Sequence, residues 1–469
     1  MKENILFVTG KLAQRSLERV LTGLSDPSFT WSIRVPGVSV AALMTGTILE
    51  RRLGDTSAFD RVILPGRCRT DLESLSRQFG TRFERGPEEL KDLPGYFGAS
   101  ATKRAIDQHD VAIFAEIVDA PHLSIEQTIA RAERYRSDGA NVIDLGCLPD
   151  VPYPHLEDAV RGLRADGFAV SVDSLDGQEL KRGISAGADY CFSLTENTLE
   201  LVEESACVPI LISPDPSDTE TLYRTIDAFA QRNRPFYADA VIDPIHYGFT
   251  RSVQRYAELR ERYPDIDIMM GIGNLSELTH TDSLGLNTLL MGIVSELKVT
   301  AVLTTEVSLH CRTAVREIDR VRRVMFAARE DHTPPRHLDE SLMALHERHP
   351  YPYTSAEIEE FAEAVRDDNF RIQVNAEGIH VYNRNGHTVA QDPYDIFPEL
   401  DVETDGAHAF YLGLELAQAR LAWRLGKRYA QDEELDWGCI LPHEADEKLE
   451  FSAPKSTLTA RRRRPKRVD

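Results

Sequence analysis

The chain has 469 residues, with 54 Lys and Arg against 76 Asp and Glu, a net charge of −22. Its 42% hydrophobic and 28% charged content excludes an intrinsically disordered chain, and the length predicts two to four domains. The acidity argues against a nucleic-acid or membrane-surface protein, both of which call for a basic footprint. Six scattered cysteines without a CxxC pair argue against a disulfide framework or a structural zinc site. No run is long enough to span a bilayer and Met1-Lys2-Glu3-Asn4 leads directly into an apolar strand, so a cytoplasmic protein is expected.

In chain order, residues 5–10 (ILFVTG) predict a strand ending in a Gly turn, followed by a helix over 13–24. The rhythm repeats through WSIRVP, a helical stretch and RVILPG (61–66), which predicts a small α/β, Rossmann-like domain over 1–105. From Val111 onward, short Val- and Ile-rich runs alternate with amphipathic stretches. The runs are 111–119, 141–146, 169–174, 190–195, 209–214, 237–244, 267–273 and 301–306. Near-continuous apolar runs of this length read as strands buried on both faces. Helical spacing follows each, over 124–137, 156–165, 177–186, 198–205, 218–231, 252–263, 284–297 and 314–329. Eight strand–helix units predict a closed (β/α)8 TIM barrel over 106–330, with a doubly wound open sheet as the competing arrangement.

A Pro-rich linker over 331–354 is expected next, then a C-terminal α+β domain over 355–441. In it, 356–367 reads as a helix, 371–384 as a hairpin around Glu377-Gly378, and 407–428 as a long helix. The segment 442–469 carries RRRRPKR at 461–467 and reads as a disordered basic tail.

Active sites of closed parallel barrels sit at the C-terminal ends of the strands. There the sequence places Glu116 and Asp119, Asp144, Asp173, Asp243 and Glu306, with Gly271, Asn274 and His310 alongside. A carboxylate at a strand end also serves as a helix cap or loop acceptor. Asp144 and Asp173 follow strictly apolar strands, where an isolated charge is costly without a partner. A ligand with a row of N–H donors, such as an amino-pyrimidinone ring, supplies that partner. A divalent cation such as Mg2+ is the competing occupant.

The runs GANVIDLG (139–146), FAVSVDS (168–174), AGADYCFSL (186–194) and VIDPIHYGF (241–249) resemble, in order and spacing, elements of the dihydropteroate synthase family. The resemblance covers about residues 110–330. It implies a pterin-binding barrel in which Asp144, Asp173 and Asp243 hold the ring, lined further by Glu116, Ser193, Gly248, Phe249, Arg251, Gly271, Glu306 and His310. The chain departs from the synthases in Cys147-Leu148-Pro149-Asp150 after the second strand, in Glu116 and Ser193 where they carry Asn, and in Gly273-Asn274 where they carry Ser-Arg-Lys. The stretch GIGNLSEL (271–278) instead resembles the methyltetrahydropterin-dependent methyltransferases, with Asn274 matching the Asn that meets the pterin. Both flanks, MKENILFVTGKLA and LGKRYAQDEELDWG (425–438), resemble a three-part synthase-like family of organisms that use tetrahydromethanopterin. The resemblance implies a transferase making that one-carbon carrier, with methyl transfer or pterin carriage as alternatives. The expected partners are a small pterin and a second copy of the chain in a homodimer, with no nucleic acid and no membrane. Arg251 and Arg312 are the candidate cations for an anionic leaving group.

Overall fold

A computed structural model describes residues 2–441 apart from 25–28, 39–40, 42–43, 67, 69, 88–89, 98–104 and 149–150. The basic run at 461–467 thus lies outside the described residues. The chain divides into two units, residues 1–110 with 323–338, and 111–322 with 339–469.

The first unit carries a parallel four-stranded sheet in the order β2-β1-β3-β4. Its strands are β1 (Glu3–Val8), β2 (Phe29–Arg34), β3 (Arg61–Leu64) and β4 (Arg82–Arg85), with α1 (Gln14–Thr22), α2 (Gly46–Arg52), α3 (Leu72–Phe79) and α4 (Leu93–Tyr96). β1 is apolar without alternation because both its faces are covered. Leu6 and Val8 pack with Leu49 and Leu75, while Ile5 and Phe7 pack with Leu17 and Leu21. β4 escaped the sequence pattern, since RFER offers a single large apolar residue.

In the second unit eight parallel strands close into a barrel, ordered β10-β11-β12-β5-β6-β7-β8-β9. They are β5 (Ala112–Ile117), β6 (Val142–Gly146), β7 (Ala169–Asp173), β8 (Tyr190–Leu194), β9 (Val208–Leu211), β10 (Tyr237–Ala238), β11 (Asp267–Met270) and β12 (Ala301–Thr305). The helices are α5 (Ile125–Ser137), α6 (Leu156–Ala165), α7 (Gly177–Ala186), α8 (Thr219–Ala230), α9 (Phe249–Arg262), α10 (Gly273–Leu278), α11 (Ser283–Glu296) and α12 (Ala314–Asp331), the last of which continues from Arg323 into the first unit. Ser124 opens α5 with a capping box to Gln127, which satisfies two otherwise orphaned N–H groups. Between β8 and β9 the expected helix is reduced to a 3-10 turn, Leu199–Val202.

The rest of this unit holds α13 (Ser355–Ala364), an antiparallel sheet of β13 (Arg371–Val374), β14 (Ile379–Asn383) and β15 (Gly386–Ala390), then α14 (Pro393–Ile396) and α15 (Gly406–Leu425). Ile372, Val374, Ile379 and Val381 pack against Leu412, Leu416 and Ala419 of α15. Lys427 is buried there; its Nζ donates to the Ala344 carbonyl at 3.0 Å and lies 5.2 Å from the Trp437 ring centre. Among the described residues no helix is long and apolar enough to cross a membrane.

Candidate functional site

Side chains of a strand alternate between its two faces, so every second residue of a barrel strand points inward. Phe114, Val142, Ala169, Tyr190, Phe192, Ile210, Tyr237, Met269, Ala301 and Leu303 cluster there as an apolar plug. Two residues further toward the strand ends the same alternation brings Glu116, Asp144, Ser171 and Asp239 inward, and two further still Asp173. The plug thus carries a layer of carboxylates on its mouth side.

The register sets Glu116 beside Asp144, and Asp173 one inward step nearer the mouth, beside Gly146. Ligand oxygens of Glu116, Asp144 and Asp173 lie within 4.8 Å of one another, close enough to hold one cation or one donor-rich edge. Gly146 makes room for this arrangement. A Cβ on it would stand 2.6 Å from Glu116 Oε1, so any side chain would displace that carboxylate.

Asp144 is fully buried. The Ser171 hydroxyl donates to its Oδ1 at 2.5 Å, while Oδ2 has no hydrogen-bond partner among the described residues. Burial, and then the charges of Asp173 and Glu116, push the Asp144 carboxyl well above the usual range. Burial followed by the Asp173 charge lifts Glu116 to about 7, and burial raises Asp173, against a 3.0 Å hydrogen bond from Ser193. Such a group stays partly protonated at neutral pH unless a cation or a donor ligand offsets its charge. Burial, then the charge and hydrogen bond of Glu179, and after them the charges of Asp144 and Asp173, push the Cys147 thiol far up.

Ser193 reaches Asp173 through an irregularity in its strand. The β8–β9 register shifts between Cys191 and Leu194, and Ser193 takes a positive φ of 64°. A bulge re-aims a side chain that strict alternation would point outward. Val241, just past β10, also has a positive φ, 58°. That conformation costs a β-branched residue on the order of 1–3 kcal/mol, and such strain concentrates at working sites.

Asp239 is a member of the layer that the sequence reading passed over. The Tyr256 hydroxyl and the Val241 N–H, the latter at 2.7 Å, donate to its Oδ1. Burial lifts it to about 6, with the Asp173 charge adding to the rise. Its signal was available as two residues beyond inward-facing Tyr237.

The remaining expected residues are distributed as follows. Asp243 forms an ion pair at 2.8 Å with buried Arg255, which also donates to the Ala240 and Val241 carbonyls. Gly248, at φ 126°, lets Asp243 sit against it, for a Cβ there would meet Asp243 Oδ2 at 2.9 Å. Phe249 opens α9, and Arg251 is exposed on its first turn with Gln254 as partner at 3.2 Å. The cation built into this corner is therefore Arg255, one turn beyond Arg251. Asn274 is exposed in the first turn of α10, its Nδ2 3.9 Å from the Cβ position of Gly271. Glu306 is turned to the outer shell, where Arg134 donates at 2.7 Å and the Val315 N–H at 3.0 Å. Burial outweighs that ion pair and lifts Glu306 to about 7. His310 meets the Ser276 carbonyl through Nε2 at 3.1 Å. Asp119 is half exposed, 3.6 Å from Arg131, and stands apart from the carboxylate layer.

Residues 3–88 match the model of a family described as a family of unknown function (DUF6513). An uncharacterized protein from Methanocaldococcus jannaschii is 25% identical over 526 residues, covering 92% of this chain and 98% of its own length. Solved structures similar to the chain include dihydropteroate synthases. The one from Yersinia pestis is 15% identical, over 49% of this chain and 98% of its own, at a TM-score of 0.35. The one from Xanthomonas albilineans in complex with 7,8-dihydropteroate is 15% identical, over 48% and 95%, at 0.38. The one from Vibrio fischeri is 14% identical, over 48% and 94%, at 0.36.

Proposed function

We propose that the barrel mouth binds a pterin, and that the chain joins a pterin to an arylamine or modifies the bound pterin in making a tetrahydromethanopterin-type one-carbon carrier. One observation carries this reading. Glu116, Asp144 and Asp173 crowd together around fully buried Asp144, whose Oδ2 lacks any partner among the described residues. A buried carboxylate oxygen without a donor is costly, and a flat ring with a row of N–H groups removes that cost at several oxygens at once. The four elements that resemble dihydropteroate synthases, 139–146, 168–174, 186–194 and 241–249, support the same ligand, because they build this layer and its rim.

In this reading Asp144 and Asp173 accept from the ring and Ser171 and Ser193 hold them in place. Glu116, poised near neutrality, takes or gives a proton as the ring enters. Asp239, held by Tyr256, closes the floor of the layer, and Asp243 is fixed at the rim by Arg255. Gly271 leaves space beside the Asn274 amide, while Phe249, Arg251 and His310 occupy the loops around the mouth and Glu306 braces the shell behind it. The exposed Asn274 amide favours a second reading, methyl transfer from a methylated reduced pterin. Mg2+ is the rival occupant of the three carboxylates.

Titration with 6-hydroxymethylpterin, followed by protein fluorescence, tests the reading. Asp173→Asn is expected to weaken binding by about tenfold or more, ~1.4 kcal/mol. Unchanged affinity would remove the mouth from the binding site. Pyrophosphate release from a pterin diphosphate and an arylamine separates synthesis from methyl transfer, and equilibrium dialysis with Mg2+ alone tests the rival occupant.

A further inference from the structure

α15 is apolar on two opposite faces. Of its 20 residues Glu415, Arg420 and Arg424 alone are charged, and Glu415 is buried, accepting from the Tyr429 hydroxyl. The face with Leu412, Leu416 and Ala419 packs on β13 and β14. The opposite face carries Ala407, Phe410, Leu414, Ala417 and Leu421, and it lies in water. Phe410 is 75% exposed, and Leu414 and Leu421 are each 42% exposed. A helix that is apolar all round belongs in a covered place.

The spacing of the stripe fits one kind of cover. Its five positions step by three, four, three and four residues, the repeat by which two helices pack along a common seam. The stripe is also symmetric about the gap between Leu414 and Ala417. A second copy running antiparallel and crossing there sets Leu414 against the partner's Ala417 and Phe410 against the partner's Leu421. Gly413, exposed one turn before Ala417, lets the two backbones approach.

The charges at the ends of the helix agree with that pairing. Several are already satisfied within the chain. Arg420 pairs with Asp392 at 3.3 Å, buried Lys427 stands 3.9 Å from Glu347, and Asp405 caps the helix through the His408 N–H. Asp432 accepts from Tyr411 at 2.7 Å, which brings it, followed by Glu433 and Glu434, to the N-terminal half of the helix. Glu377 adjoins Ala376, whose carbonyl meets Trp423 on the side of α15 turned to the sheet. The charges that stay exposed, with no ion pair among the described residues, are Glu399, Asp401 and Glu403 before the helix and Arg424 and Arg428 at its far end. In an antiparallel pair each basic end meets the partner's acidic end, an order that the helix dipoles also favour. A lipid surface would call for Lys and Arg along the whole stripe, whereas its N-terminal half is bordered by acids.

We propose that α15 is the seam of a homodimer, in which two copies pair antiparallel across Leu414 and Ala417. A single helix pair ~30 Å long is smaller than a standard interface of ~1,600 Å², so the pairing is reversible. It is independent of what the barrel mouth binds.

Sedimentation velocity of the full chain tests the seam, with a dimer share expected to grow between about 1 and 100 μM. Leu414→Glu, at an exposed site, is expected to weaken the dimer by about tenfold or more, ~1.4 kcal/mol, with unchanged circular dichroism. Reversing the basic end with R424E/R428E is expected to weaken it comparably, and adding E399R/E403R to bring it back to within about threefold. A parallel pair sets like ends together before and after reversal and would show neither effect. These charge variants leave the apolar stripe intact, so they decide the matter if Leu414→Glu perturbs the fold. A monomer throughout the concentration range would overturn the proposal. So would a dimer indifferent to Leu414→Glu, or a charge reversal that E399R/E403R fails to rescue.

Discussion

The barrel treats its buried carboxylates in two ways. In the shell between strands and helices each acid meets donors from its neighbours. Glu306 has Arg134 and the Val315 N–H, Asp138 has Arg316, and Glu317 accepts from Ser283, Asn287 and Thr313. At the mouth, Glu116, Asp144 and Asp173 face one another, and Asp144 retains an unpaired oxygen. The shell acids complete their hydrogen bonds from within the chain, while the mouth acids leave theirs to be completed from outside. That contrast separates structural charge from charge held ready for a ligand.

Removing a partner from a satisfied acid, or crowding the mouth, should destabilise, whereas removing a charge from the crowded mouth layer should stabilise. The largest effect is expected from Arg255→Leu, which strips Asp243 and two carbonyls of their guanidinium and should cost ~3 kcal/mol in denaturant unfolding. A cost no larger than that of a surface change would show that Asp243 does not depend on Arg255 as the paired shell acids depend on their donors. Gly146→Ala should follow at ~1–3 kcal/mol, because its methyl collides with Glu116, and pterin affinity should fall with it. Asp144→Asn should move stability the other way, raising the melting temperature of the ligand-free protein by an amount worth ~1 kcal/mol while weakening pterin binding. If it destabilises instead, the mouth is as self-sufficient as the shell.

The pH dependence sharpens the comparison further. Glu116 and Glu306 are lifted to about 7 and Asp239 to about 6, above their unfolded values, so the folded chain binds more protons than the unfolded chain at mildly acidic pH. Their stabilising contribution is complete below pH ~4 and is lost as pH rises through 6 to 7. Thermal melts across this window should show the decline, and Glu116→Gln should flatten part of it. Pterin affinity should run oppositely and strengthen with rising pH, since ionised carboxylates are the acceptors. The smallest effect is expected from Arg251→Ala, within ~0.5 kcal/mol, as its side chain is exposed on α9.

Much of this was legible in the residues. α6 and α7 fall on the residues that their spacing predicts, and Asp144 and Asp173 close apolar runs that alternation then turns inward. The eighth-strand closure was legible from the count of units. What stayed hidden depends on breaks in regularity. The run 237–244 reads as one long strand, yet pairing ends at Ala238 and Val241 turns to a positive φ. Asp239 therefore replaces Asp243 in the inner layer, and nothing in a Val residue announces such a turn. The bulge that re-aims Ser193 is equally silent, because it depends on pairing with β9. Short polar strands such as β4 and β15 lack the apolar run that marks a strand.

The brevity of β10 has a consequence for motion. β5 and β12 share five paired positions, as do β6 and β7, whereas β10 holds each neighbour through Tyr237 and Ala238 alone. β11 likewise meets each neighbour through two paired positions, so β10 and β11 form the most sparsely bonded arc of the cylinder, where amide exchange is expected to be faster than along β5 and β6. Asp239 and Asp243 hang directly from this arc, so two acids of the mouth rest on the part of the barrel with the fewest backbone ties.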